Sequence, residues 1–258
     1  MRTAEHGQMR RNRAVVLLCA GMLCGVMLWA GVAPAAAAQD GSRPAARTIE
    51  RTVAAADVKT LDVKANVGKI RLTAGRGDSV VITLVLTAQQ RNRGWLGRDR
   101  WGDPAGVELE VKSGGGRLAL DLRGEREGLK EEWTIEAPER LAAKLRMGVG
   151  EMEVRDLSGG IDARVSVGDL RVEVPRGEID AETNVGDVRV VTSTRSYGNV
   201  RVEANVGGVD LRLRGHRVEH RRPAGAGDRM SLSGPGEDNI RVRANVGDAR
   251  LEIREPAA

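Results

Sequence analysis

Phenylalanine is missing from this chain altogether; tyrosine occurs once and tryptophan four times in 258 residues. A rounded core is usually filled at its centre by aromatic rings, so their scarcity argues against that design. The apolar residues are Val, Leu, Ile and Ala, whose small or β-branched side chains suit thin, flat layers. Cysteine is almost as scarce. Both copies, Cys19 and Cys24, fall in the first 38 residues. The rest of the chain can therefore form no disulfide and no thiolate metal site. A scaffold stapled by bridges is excluded, and about 220 residues are enough to bury a core without them.

Long hydrophobic runs are missing too, except at the start. "MRTAEHGQMRRNR" sets four Arg against one Glu, "AVVLLCAGMLCGVMLWAGVA" is unbroken apolar sequence, and "PAAAAQD" ends it with small residues. That order reads as a secretory signal-peptide helix over 1–38, cleaved after Ala38. An uncleaved anchor is the alternative, since the run approaches the ~20 residues a spanning helix needs. Leu18 and Leu23 precede the cysteines where a lipidation site wants small residues, and Arg10-Arg11 lacks the rest of a twin-arginine signal. Without the leader, 41 basic and 36 acidic residues become 37 and 35. So balanced a chain is a poor match for nucleic acid. The expected layout is a linker and leading strand at 39–55, one domain at 56–254 and a tail at 255–258.

Within that domain a short phrase recurs: "KANVGKIRL" (64–72), "RMGVGEMEV", "RVSVGDLRV", "ETNVGDVRV", "EANVGGVDL" and "RANVGDARL" (243–251). Its glycines stand at 68, 150, 168, 186, 207 and 247, with steps of 18 from 150 to 186, then 21, then 40. Alternating apolar and polar residues run up to each Val-Gly pair, and apolar residues stand two and four positions after each Gly. Period two means strands with one dry and one wet face. The dry face is expected to carry Ile179, Ala181, Thr183 and Val185, with the alternation slipping at Gly186-Asp187 as the chain turns. A second corner follows about nine residues on, at "SGG", "PRGE", "SYGN" and "GEDN".

Such units bury a face only by stacking. The expected fold is all-β: a single-stranded right-handed β-solenoid (β-helix) of about 18-residue coils, consecutive coils lying on one another at about 4.8 Å. Asn66, Asn184, Asn205 and Asn245 would then stack at equivalent corners, with Gly148 and Ser166 as substitutes, bonding turn backbone or each other. Outward charges such as Arg164, Glu182, Glu203 and Arg243 read as a solvated face. Two stretches break the repeat: a basic, Trp-bearing insert at 91–106, and 215–238, which fills the room of one missing coil.

Chemistry is thinly signalled. "HRVEH" (216–220) matches an inverted zinc-protease signature, which needs both His on one helical turn; the helix breakers after it favour a plain loop. Calcium-binding nonapeptide rolls require a different turn sequence, and Lys69 and Gly208 interrupt the column of corner acids formed by Glu151, Asp169, Asp187 and Asp248. No metal, cofactor or catalytic residue is assigned. A polysaccharide-active enzyme, the alternative on this fold, would need two acids about 5–10 Å apart across a groove. Trp95 and Trp101, flanked by Arg91, Arg93, Arg98 and Arg100, are the candidate contact residues, because exposed Trp and Arg carry interface energy and also suit a membrane headgroup layer. The competing role for either Trp is to fold back over the apolar column.

The leader, the "NVGD" corners and "EEWTIEAP" (131–138) together resemble the bacterial putative-adhesin domain of unknown function, an exported β-solenoid family, over most of 50–254. The resemblance implies a non-enzymatic protein of the periplasm, the cell surface or the secreted fraction. It would present a surface to an envelope protein or a glycan for adhesion, assembly or sensing. It implies no catalytic residues, and a fold alone does not fix function.

Overall fold

The computed structural model describes residues 45–91, 100–194, 196–219 and 227–255. The leader, the linker up to residue 44 and the tail beyond 255 lie outside them. Among the described residues the chain is all-β apart from one 3₁₀ turn at Pro104–Gly106, and no helix is long and apolar enough to cross a membrane.

In chain order the strands are β1 (Ala46–Ala54), β2 (Thr60–Gly75), β3 (Ser79–Ala88), β4 (Gln90–Arg91), β5 (Arg100–Trp101), β6 (Glu108–Gly114), β7 (Arg117–Arg123), β8 (Leu129–Pro138) and β9 (Ala142–Arg155). Then come β10 (Ile161–Val174), β11 (Ile179–Val185), β12 (Val188–Thr192), β13 (Tyr197–Val206), β14 (Val209–Leu213), β15 (His216–Arg217), β16 (Asp228–Ser233), β17 (Asp238–Val246) and β18 (Ala249–Ile253).

All but β4 and β5 join one open 16-stranded sheet. Its centre is a stack of six rungs, each bent at a repeat glycine into two arms. First arms pair in parallel with first arms and second arms with second arms, in strict register: Val165 lies opposite Met147 and Thr183, and Leu170 opposite Met152 and Val188. The inner residues follow from the alternation. Leu61, Val63 and Ala65, their counterparts Ile161, Ala163 and Val165, and Ile240, Val242 and Ala244 are all buried, as are Ile70, Leu72, Leu170, Val172, Ala249 and Leu251 across the bend. The third inner position carries Ala65, Met147, Val165, Thr183, Ala244 and Ala204 in spatial order, all buried.

Two sequence expectations are corrected. Val185 is not on the dry face: it is 47% exposed, and Val149, Val167, Val206 and Val246 match it. The alternation slips between Thr183 and Val185, before the glycine, so Asn and Val both face out. The rungs also do not stack in chain order. β11 and β12 pair with β17 and β18, and these in turn pair with β13 and β14. The Gly247 rung thus lies between the Gly186 and Gly207 rungs. The expected missing coil beside Gly186 is not missing: the last rung itself occupies that place, and β16 runs antiparallel along the outer side of β13.

Further strands finish both ends; β7 and β8 join the Gly68 rung in parallel, and the strands outside them run antiparallel. β8, β3 and β1 extend the second arms beyond the Gly68 rung, and β7 and β6 extend the first arms. Extra strands move the open backbone edge away from the stack. "EEWTIEAP" lies on β8, where Trp133 is buried against the Gly68 rung opposite Ile70.

Candidate contact surface

Each letter of the repeated corner has a separate physical task. Glycine comes first. Gly68, Gly150, Gly168, Gly186, Gly247 and Gly207 all have φ between 129° and 142°, a region side chains avoid. A Cβ on Gly150 would overlap the carbonyl oxygen of Gly68; one on Gly168 would overlap that of Gly150, and the series continues through Gly186 and Gly247 to Gly207. The glycines form a spine with no room for a methyl group.

Aspartate ties together the rungs from Gly168 through Gly186 and Gly247 to Gly207. The backbone N–H of Asp187 donates to Asp169 Oδ1 (3.1 Å), that of Asp248 to Asp187 Oδ1 (2.9 Å), and that of Gly208 to Asp248 Oδ1 (2.9 Å). At the other end of the column Lys69 Nζ lies 2.7 Å from Glu151 Oε2 and holds that carboxyl below the usual range. Asparagine builds a ladder: Asn205 Nδ2 donates to Asn245 Oδ1, and Asn245 Nδ2 to Asn184 Oδ1, both at 2.9 Å.

Valine is the residue whose placement the pattern misled. Val149, Val167, Val185, Val246 and Val206 lie in register down the stack and are about half exposed, with the three laddered asparagines on one side and the corner acids after the glycines. Rungs repeat at about 4.8 Å. Beside this line, where Gly148 and Ser166 replace asparagine, lies a depression of about 590 Å³ lined by Lys64, Arg146, Arg164, Glu182 and Asn184 among others.

The insert stands beyond the Gly68 rung, beside the end strands β1, β3 and β8. β4 and β5 form a small antiparallel pair, Gln90 opposite Trp101 and Arg91 opposite Arg100. Trp101 is 55% exposed, so it does not fold back over the apolar column. The base of the insert is fixed: Arg47 Nη1 donates to the carbonyls of Pro104, Ala105 and Val107 (3.3, 2.9 and 2.7 Å). Arg93, Trp95 and Arg98 lie outside the described residues.

The remaining chemical motifs find little support. His216 and Arg217 lie on β15 and pair with Leu213 and Arg212, so the zinc-type motif starts on a strand, not a helical turn; His220 is outside the described residues. Among the described residues no three His, Cys, Asp or Glu side chains are grouped to hold a metal. Among the described residues the carboxyl pushed upward is Glu131, by burial, opposed by donation from Trp133 Nε1 (3.0 Å) and the Asn66 N–H (3.2 Å) to its Oε2. A raised carboxyl suits a general acid, but Glu131 is 1% exposed and faces no groove. Its role is to bind the end strand β8 to the Gly68 rung.

No family model and no curated protein matches the chain. A solved structure is similar: a putative cell adhesion protein from Clostridium sporogenes, 17% identical, with TM-score 0.50, covering 82% of this chain and 100% of that one. The fold is adhesin-like. A putative adhesin from Bacteroides fragilis aligns over the same shares at 12% identity and TM-score 0.32, a value that adds no argument. At such identities the likeness concerns the fold alone.

Proposed function

We propose that this chain is a non-enzymatic cell-envelope protein, exported by its leader to the periplasm or cell surface. Its rungs would be the windings of a right-handed β-solenoid that presents a surface for adhesion, assembly or envelope sensing. One observation carries the reading: at five of the six corners the valine faces out and is about half exposed. Five exposed valines in register form an apolar line between two polar ones, a contact surface for an extended partner such as a glycan or an envelope polypeptide. The Trp95 and Trp101 insert, with its arginines, is a second contact at one end.

The enzyme alternative has less behind it, because the corner acids that would supply a catalytic pair are engaged by backbone N–H groups. The test replaces Val149, Val167, Val185 and Val246 with Thr, which keeps shape and β-preference. Capture of purified envelope glycans and envelope fractions is then compared with wild type and with Trp95→Ala/Trp101→Ala. The expected result is a loss of about tenfold or more for the valine set, the scale of an interface hot spot (about 1–2 kcal/mol). Unchanged capture in both variants rejects the reading.

A further inference from the structure

The order of the rungs leaves the chain with a gap that it fills from its own end. After Thr192 the chain skips one rung and lays down β13 and β14, and only then returns with β17 and β18 to occupy the place between. Backbone pairing closes on both sides of this last rung: Gly186 N–H donates to Val246 O and Gly247 N–H to Val206 O, each at 2.8 Å. Side chains repeat the pattern. Asn245 bridges Asn184 and Asn205, Asp248 bridges Asp187 and Gly208, and Arg243 bridges Glu182 (3.9 Å) and Glu203 (3.1 Å).

Removing β17 and β18 would expose two facing strand edges, one strand's width apart, each with unpaired N–H and C=O groups. That is the geometry of a slot completed by strand addition. The segment that fills it is short and continuous, and it hangs on a narrow hinge. β16 and β17 lie on opposite sides of β13, so the turn 234–237, Gly-Pro-Gly-Glu, must pass around the end of that strand. It is drawn tight there: Gly234 N–H donates to Gly198 O (2.8 Å) and Gly236 N–H to Tyr197 O (3.0 Å), while a Cβ on Gly236 would overlap the Ser196 carbonyl.

We infer that the slot between the Gly186 and Gly207 rungs is an interaction site for the terminal rung of a second copy of this chain. Opening of the 234–237 hinge releases β17 and β18, and two copies exchange them reciprocally. Every contact made within one chain is remade between chains, so the exchange costs little beyond association. Occupation from within keeps the monomer closed, and exchange builds a dimer without any new surface.

The experiment uses full-length chains carrying Cys19→Ser and Cys24→Ser, one with Asn184→Cys and the other with Asn245→Cys. A third chain carries both of the latter substitutions. A short bis-maleimide should join 184 to 245 within the third chain. The two single variants, unfolded together at high concentration and co-refolded, should give cross-linked dimer at about fivefold or more the yield of chains refolded apart and then mixed. Adding Gly236→Ala, which crowds the closed turn, should raise that yield further. Failure of the double variant to cross-link within one chain would overturn the slot itself. Intramolecular cross-linking with only monomer from the co-refolded pair would overturn the exchange.

Discussion

The two halves of the rung stack use one corner motif but are assembled differently. From Gly150 through Gly168 to Gly186, spatial neighbours are sequence neighbours, 18 residues apart, and each rung could add to the last as the chain folds. Beyond Gly186 the nearest spatial neighbour is the last rung of all, 61 residues on. The comparison teaches that the Asn-Val-Gly-Asp corner specifies register without specifying order. It makes any rung fit any other, and something else chooses the neighbour. One column of outward charges favours the observed order, although the same last rung also sets Arg241 opposite Arg201 and Arg250 opposite Arg189. Stacked in chain order, Glu182 would face Glu203; with the last rung between them the column runs Arg164, Glu182, Arg243, Glu203, and opposite charges alternate. Like charges directly across strands cost up to about 1 kcal/mol.

The largest expected effect tests what the halves share. Gly168→Ala and Gly247→Ala each force a side chain into positive φ and into a neighbouring carbonyl, so each should cost about 4 kcal/mol or more. Gly77 has φ of 97° with nothing within 4 Å of a Cβ, so Gly77→Ala should cost only about 1–2 kcal/mol. Urea midpoints compare the three, and a mild Gly247→Ala alone would show that the inserted rung does not rest on the same spine.

Next comes the feature that separates the halves. Glu203 is buried and receives Arg201 (3.2 Å), Arg229 (2.6 Å) and Arg243 (3.1 Å). Arg243→Glu removes one of these cations and places a like charge beside a buried carboxylate, for an expected loss of about 3 kcal/mol. Arg164→Glu changes the same column in the sequentially stacked half, where the arginine is half exposed and its partners stand at 3.5–3.6 Å. The expected loss there is about 1 kcal/mol or less. Equal losses in denaturant titrations would erase the difference between the halves.

Much of this was legible in the sequence because it rests on periodicity and sterics. The glycine spacing, the two arms of each rung and the inner triplets such as Ile179, Ala181 and Thr183 all follow from alternation and from the lack of room for a Cβ. Where the alternation slips was not legible. The step from Thr183 to Val188 is odd and demands one slip, but an apolar Val at 185 invites the wrong placement. Rung order was hidden for the same reason that the rungs fit together: identical corners are degenerate. Two clues were present, the Glu182 and Glu203 clash in chain order and the Gly-Pro-Gly reversal just before the last rung. Of the contact insert, Trp101 proved exposed, while the tryptophan that seals the stack is Trp133, carried in by β8 rather than by the insert.

A third prediction concerns the Gly68 end, where the parallel strand β8 joins the stack to the antiparallel strands beyond it. Burial raises the Glu131 carboxyl, so the folded chain holds that proton to higher pH than the unfolded chain does. Its contribution is therefore fully present below the ordinary carboxylate range and is lost as pH rises through the raised folded value. Glu131→Gln keeps an acceptor for Trp133 and Asn66 and removes the charge. Its melting temperature should exceed wild type by about 2–4 °C at pH 7, the shift for roughly 1 kcal/mol in a domain of this size, with the gain vanishing near pH 4. A gain independent of pH would mean that the charge is not its source.

The smallest effect returns to the ladder. Asn245 makes two amide bonds, one to each flanking rung, and both lie at the surface, where water competes for the same groups. A hydrogen bond in that setting is worth about 0.5–1 kcal/mol, so Asn245→Ala should cost about 1 kcal/mol. Asn66 sits next to Gly148, which offers no amide to pair with, and Asn66→Ala should change stability by a few tenths of a kcal/mol at most. The contrast separates two reasons for an asparagine at a corner: shaping its own turn, which would make the two substitutions equal, or joining neighbouring rungs, which makes them differ. Because the three laddered asparagines belong to the Gly186, Gly247 and Gly207 rungs, a difference would also mean that the inserted rung is held by bonds that the Asn66 corner lacks. Hydrogen exchange at Val246 and Val206, compared between Asn245→Ala and wild type, gives the same answer locally: protection should fall there and stay unchanged at Val149.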